Sequence, residues 1–216
     1  MTDRWSRFAP LIGVLFVALT VVGIFGSGES PEGNASSAKV IAYYHLHESN
    51  VKTFDIVFIF AFLALVVFAA VLRSFLRRAP RAEGAAAVVL AGALLMAAAA
   101  LIGTSIELGL AENITHLERS TAQALNLISD EIFLPALCGA FLFSVGSGVA
   151  ILRGANLPKW LGWVAIVIGV LTLVPPTSMP ALFALLIWSL LVSILMFLRT
   201  GADSAVDAAP LAAGGA

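Results

Sequence analysis

Four carboxylates are the side chains best suited to chemistry in an otherwise apolar sequence. They stand at the ends of long apolar runs: Asp55, Glu107, Asp130 and Glu131. An α-helix rises about 1.5 Å per residue, so the segment from Asp55 to Arg73 would span roughly 27 Å. That length is close to the hydrocarbon thickness of a bilayer, about 30 Å. The four carboxylates are therefore predicted to form a layer near one membrane border and to bind a small ligand there.

The alternative is that these acids form a solvated rim that stops each helix from sliding into the membrane. Asp130 and Glu131 point about 100° apart on a helix, so at least one of them should face protein. A helix that began at Asp130 would also stabilise both acids through its dipole. Pro135 has no N–H to donate to the carbonyl of Glu131, which leaves that acceptor free beside the acids.

Three histidines are the candidate metal ligands: His45, His47 and His116. His45 and His47 would share one face of a strand, but on a helix side chains two residues apart do not converge. The spacing of Val40, Ile41 and Tyr44 favours a short amphipathic helix that begins near Ser37. A metal site would therefore need two separate loops to meet, and no cofactor is predicted.

The composition indicates a polytopic membrane protein. Hydrophobic residues make up 60% of the 216 residues and charged residues only 12%, against about 25% charged in soluble domains. Mean hydropathy is +1.01. The single cysteine, Cys138, excludes an intrachain disulfide. Nothing in the sequence suggests nucleic-acid binding, and the predicted surroundings are a lipid bilayer.

Apolar runs of about 20 residues predict the membrane-spanning helices. The predicted fold is an all-α bundle of six spans in one domain, residues 1–199, followed by a disordered cytoplasmic tail, 200–216. The short amphipathic helix lies in the first outer loop, before the second span. The predicted spans are 8–26, 54–77, 84–107, 130–153, 160–175 and 180–199.

Basic residues predict the orientation, because cytoplasmic loops carry an excess of Lys and Arg. With six spans, nine of the twelve basic residues fall on one side. Both termini are therefore predicted to be cytoplasmic, in a bacterial plasma membrane. The carboxylates then predominate outside and form an acidic outer mouth. The nine are Arg4, Arg7, Arg73, Arg77, Arg78, Arg81, Arg153, Lys159 and Arg199.

Small residues recur along the third and fourth spans. Ala140, Ser144 and Gly148 follow one another at intervals of four, and Gly92 and Ala100 stand on the third span. Such positions let helices approach closely. The favoured interpretation is packing within one chain, and the alternative is a homo-oligomer that associates through these small-residue faces.

Three segments carry a resemblance to a known family. They are RWSRFAPLIGVLFVAL at 4–19, SAKVIAYYHLH at 37–47 and LPKWLGWVAIVIGVL at 157–171. They resemble uncharacterised multi-pass membrane proteins of actinobacteria that are described as a domain of unknown function. The resemblance implies a helical membrane protein and brings no catalytic residues with it.

Three functions follow from these observations. The first is a non-enzymatic protein that handles a small ligand, cation or lipid at the acidic outer mouth. The second is a metal-dependent membrane enzyme that uses the three histidines. The third is a structural subunit of a membrane complex. The absence of a nucleophile elbow, a phosphate-binding glycine loop or a zinc-protease motif favours the first.

Overall fold

The computed structural model describes residues 8–28 and 30–208, with side chains described as far as Arg199. Helices joined by short loops make up these ranges, which contain no strand. Arg4, Arg7 and residues 209–216 of the predicted tail lie outside the described part of the chain. The seven α-helices are α1 (Ile12–Ser27), α2 (Ser37–Leu76), α3 (Glu83–Asn113), α4 (Arg119–Glu131), α5 (Phe133–Leu152), α6 (Lys159–Thr172) and α7 (Ser178–Ala208).

Proline-led 3-10 turns precede three of the helices. Pro10, Pro80 and Pro175 stand in the first turn of these segments, where a missing N–H leaves no hydrogen bond unmade. Ala79, directly before Pro80, is extended, as proline requires of its predecessor. These turns set where α1, α3 and α7 begin.

Six of the helices form a closed ring in chain order. α1 packs on α2, α2 on α3, α3 on α5, α5 on α6, α6 on α7, and α7 returns to α1. An aromatic column lies inside this ring: the Phe68 and Phe143 ring centroids are 6.4 Å apart, and those of Phe143 and Trp188 are 6.2 Å apart. Trp188 Nε1 donates a hydrogen bond to the carbonyl of Leu161 at 3.0 Å, which joins α7 to α6.

The closest approach in the ring is between α3 and α5. A Cβ atom on Gly92 would overlap the backbone nitrogen of Phe143, and one on Gly139 would overlap that of Met96. The two backbones therefore touch directly, as small residues at a helix crossing allow. The small-residue faces of these helices are used inside one chain, as the favoured interpretation expected.

A second hydrophobic cluster lies apart from the main core of the ring, where the N-terminal part of α2 meets the C-terminal part of α3. We call it the outer cluster. It is formed by Ala35, Val40, Tyr44, Val51, Leu110, Ala111, Ile114 and Ala122. The loop before α2 is fixed against it, because Asn126 Nδ2 donates to the carbonyl of Glu32 at 3.0 Å.

The predicted short helix and the second span are two helical segments that meet at a kink at His47, and together they make up α2. It begins at Ser37, where the Ser36 hydroxyl accepts from the N–H of Lys39, and it continues for 40 residues to Leu76. The segment between His47 and the predicted start of the span contains no Pro or Gly, so nothing ends the helix there. A kink at His47, with φ −112° and ψ 16°, marks the change of direction.

The fourth span differs from its predicted bounds. Helical structure begins at Arg119 rather than residue 130, and it is interrupted at Ile132. Pro135 explains the interruption, because its ring crowds the carbonyl of Glu131 and cannot donate to it. Asp130 and Glu131 therefore stand at the C-terminal end of α4. No helix begins at Asp130, but the two acids also directly precede Ile132, the N-cap of α5. The dipole of α4 therefore disfavours them, whereas that of α5 favours them.

The last two predicted spans also differ in length. Among the described residues, five helices are long and apolar enough to cross a membrane, and a further apolar helix is shorter. The shorter one is α6, whose 14 residues extend about 21 Å. At the other end, α7 continues to Ala208, through residues that the sequence assigned to a disordered tail.

Candidate functional site

An apolar cavity of about 360 Å³ lies between the ring helices, towards the end that carries the predicted acidic layer. Its polar lining consists of Thr20, Thr104, Glu107 and Ser129. Thr20 is already bonded to the carbonyl of Phe16 in its own helix. The remaining walls are aliphatic and aromatic, and they include Phe58, Phe62, Met96, Leu137, Phe183 and Leu186. We call this space the apolar cavity.

A second cavity, of about 330 Å³, adjoins the first and is more polar. The two share Ile24, Phe58, Glu107 and Met179 in their linings, so they lie side by side. We call the second space the acidic cavity. Its further lining residues are Ser27, Gly28, Ser30, Tyr43, Tyr44, Val51 and Asp55.

Asp55 is buried in the wall of the acidic cavity. It lies one turn after Val51 on the same face of α2, and that face packs inward. Only 3% of the Asp55 surface is exposed, and its Oδ2 atom has no hydrogen-bond donor among the described residues. A buried polar oxygen without a donor is costly, so this atom is expected to have a partner in the functioning protein.

Glu107 lies where the two cavities meet. α3 places it three residues after Thr104, on the face that lines the apolar cavity. Ser129 of α4 donates a hydrogen bond to Glu107 Oε1 at 3.0 Å. Ser129 was not among the residues predicted from the sequence, although it directly precedes Asp130 and Glu131, which were. The amphipathic pattern of α4, the helix that carries Ser129, could have indicated it.

The four predicted carboxylates do not converge. Asp55 and Glu107 share the acidic cavity, whereas Asp130 and Glu131 are exposed. Asp130 borders the loop at Gly33, and neither acid lines either cavity. The predicted layer is therefore divided into an inward-facing pair and an outward-facing pair.

The three histidines are spread over the outer surface. His45 and His116 are exposed, and His47 is partly buried against Tyr43. The His47 and Tyr43 ring centroids are 4.7 Å apart, and His47 Nδ1 lies 3.0 Å from the Tyr43 carbonyl. No group of three or more His, Cys, Asp or Glu residues could hold a metal ion within the ranges that the structure covers.

A comparison with protein families finds a match over most of the chain. The sequence profile of a domain of unknown function, DUF4386, matches residues 11–201. The chain belongs to the DUF4386 family. The match covers the helical ring except for the last residues of α7, and it includes every residue that lines the two cavities. No curated protein and no solved structure matches the chain.

Proposed function

We propose that this DUF4386 protein binds small amphipathic molecules in its paired cavities, without catalysing a reaction on them. The observation that carries the proposal is the apolar cavity of about 360 Å³, which adjoins a carboxylate-lined space. Ligand sites in proteins are typically apolar concavities of about 300–1,000 Å³ with a few convergent polar groups. An apolar chain fits the first space and a polar head fits the second.

The proposal includes a location and an orientation. The protein would lie in a bacterial plasma membrane of actinobacterial type, cross it six times, and keep both termini in the cytoplasm. Contacts at the two ends of α7 support six crossings. Arg199 donates to Asn156 at the basic end, and Met179 lines both cavities with Glu107 at the acidic end. α6 connects these two levels.

The topology predicts the behaviour of fused reporters. An enzyme that is active only outside the cytoplasm should be inactive when fused after residue 216 and active when inserted after His116, in the loop before α4. Enzymatic activity in intact cells is the measurement, and immunoblotting confirms equal amounts of fusion protein. Activity at the C-terminal position would contradict the orientation.

Filling the apolar cavity tests the binding function. Ala100→Trp places an indole in the cavity wall, and we expect saturable binding of tritiated 1-octanol to protein in nanodiscs to weaken at least about tenfold. One extra buried methylene contributes roughly 0.8 kcal/mol, so excluding an alkyl chain removes several such contributions. Binding is counted after subtraction of empty nanodiscs.

The matched control for this substitution is Ala98→Trp. Ala98 lies on the same helix at nearly the same depth, but it is exposed on the outer face of the ring and lines neither cavity. Its octanol binding should equal that of the wild type. Equal loss in both variants, or an unchanged affinity in Ala100→Trp, would refute binding in the apolar cavity.

A further inference from the structure

We infer that the polar head recognised in the acidic cavity is an ammonium group, so that the ligands are cationic amphiphiles. The inference rests on the proposed binding function and specifies its ligand class. It follows from one juxtaposition: the buried Asp55, with Oδ2 lacking a donor, faces the same cavity as Glu107 and two tyrosines.

The charges that line the acidic cavity have one sign. Asp55 and Glu107 are its two carboxylates, and no Lys, Arg or His lines it among the described residues. The nearest lysine in the sequence, Lys52, points elsewhere and pairs with Glu48 at 2.6 Å. Two carboxylates in a partly dry space repel each other and attract a cation, and a neutral or anionic head would leave that repulsion in place.

The hydrogen bonds of the two carboxylates also favour a cationic ligand head. Ser129 supplies a donor to one oxygen of Glu107, but Asp55 Oδ2 has none from the protein side chains and backbone that the structure describes. A carboxylate accepts hydrogen bonds and cannot donate them. An ionised Asp55 therefore lacks a donor, and an ammonium group supplies both donors and the compensating charge.

The aromatic residues distinguish an organic cation from a metal ion. Tyr43 and Tyr44 line the acidic cavity with Phe58, and the two tyrosine rings meet edge to face at 5.2 Å. Aromatic faces attract ammonium groups through their quadrupole. A small metal ion would instead need several oxygen or nitrogen ligands in close order, and the described residues offer no group of three or more.

The apolar cavity supplies the rest of the ligand. It adjoins the acidic cavity at Glu107 and extends between α1, α2, α3, α5 and α7 without another carboxylate in its lining. A molecule with an ammonium head at Asp55 and Glu107 would place its apolar chain there. A free alkylamine and the amine-bearing headgroup of a membrane lipid share this chemistry.

The test compares three ligands with the same apolar chain and different heads: octylammonium, 1-octanol and octanoate. They are tritiated and measured in parallel on the full-length protein in phosphatidylglycerol nanodiscs, which contain no ammonium lipid. We expect the wild type to bind octylammonium at least about tenfold more tightly than 1-octanol, as charge-assisted hydrogen bonds imply. Octanoate should bind more weakly than both.

Two substitutions neutralise the carboxylates of the acidic cavity: Asp55→Asn and Glu107→Gln. Each should reduce the preference for octylammonium over 1-octanol severalfold, while 1-octanol still binds. The matched control is Glu131→Gln, which removes the same charge from an exposed position on the same side and should leave the preference unchanged. This control separates the cavity from attraction of cations to the acidic surface. Retained 1-octanol binding shows that each variant is folded.

Each outcome has a defined meaning. Equal affinities of octylammonium and 1-octanol in the wild type, or an unchanged preference in both Asp55→Asn and Glu107→Gln, would overturn the ammonium inference while the proposed binding function stands. Absence of saturable binding for all three ligands would overturn both. Adding phosphatidylethanolamine to the nanodiscs distinguishes the sources: competition with octylammonium identifies a lipid amine, and its absence identifies a free amine.

Discussion

Gly92→Ala should destabilise the protein by about 3 kcal/mol, although it adds a single methyl group. The new Cβ would overlap the backbone nitrogen of Phe143, and the facing Gly139 carbonyl also lies too close. Backbone atoms of a packed helix cannot rotate away as a side chain can, so α3 and α5 must separate. Denaturant unfolding followed by circular dichroism in mixed micelles measures the loss of stability.

Gly109→Ala is the matched control on the same helix. A Cβ at this position meets nothing within 4 Å, and alanine favours helix over glycine by up to about 1 kcal/mol. We expect this variant to unfold at the same denaturant concentration as the wild type or slightly higher. If both variants lost stability equally, direct backbone contact at the crossing of α3 and α5 would be contradicted.

Trp188→Ala should cost about 3 kcal/mol, the second large effect. Trp188 is 1% exposed, it packs against Phe143, and it donates to the Leu161 carbonyl. Truncation of a core aromatic typically costs about 3–5 kcal/mol. We expect the lower end, since lipid is as apolar as the core and the loss comes from packing contacts and the hydrogen bond rather than from hydration. Thermal unfolding in nanodiscs is a suitable measurement.

Trp163→Ala is the comparison for this effect. Trp163 belongs to α6, but 62% of its surface is exposed, and it contributes no contact to the aromatic column. Its removal should change the unfolding temperature little.

Trp188→Phe separates the packing contribution from the hydrogen-bond contribution, because it retains most of the packing and loses only the donor. A loss in Trp188→Phe as large as in Trp188→Ala would assign the whole effect to the hydrogen bond.

Hydropathy predicted which segments are apolar and helical, because a span needs a certain length of uncharged chain. It did not predict the helix bounds at the outer border. There, helical structure continues from Ser37 through the kink at His47 into the bundle, and α4 begins at Arg119. Polar residues can be helical on either side of a membrane border, so the change in composition at residues 54 and 130 marked a change of surroundings and not of secondary structure.

The sequence predicted the level of the four carboxylates along the helices, but it did not predict which of them face inward. Counting residues placed Asp55, Glu107, Asp130 and Glu131 near one level, and Asp55 and Glu107 do line one cavity. The rotation of each helix about its axis decides which acids face inward, and it depends on contacts such as Gly92 with Phe143 that lie far away in the sequence. No local pattern around Glu131 indicates that it points outward.

The separation of the two hydrophobic clusters affects how quickly a ligand would enter and leave the cavities. Tyr44 and Val51 belong to the outer cluster and also form part of the wall of the acidic cavity, whereas the aromatic column of the ring belongs to the main core. Small separate clusters open locally at lower free energy than a main core. A ligand's residence time would then follow the opening of the outer segment beyond the His47 kink, and substitutions there would alter how quickly ligands enter and leave while the ring stays folded.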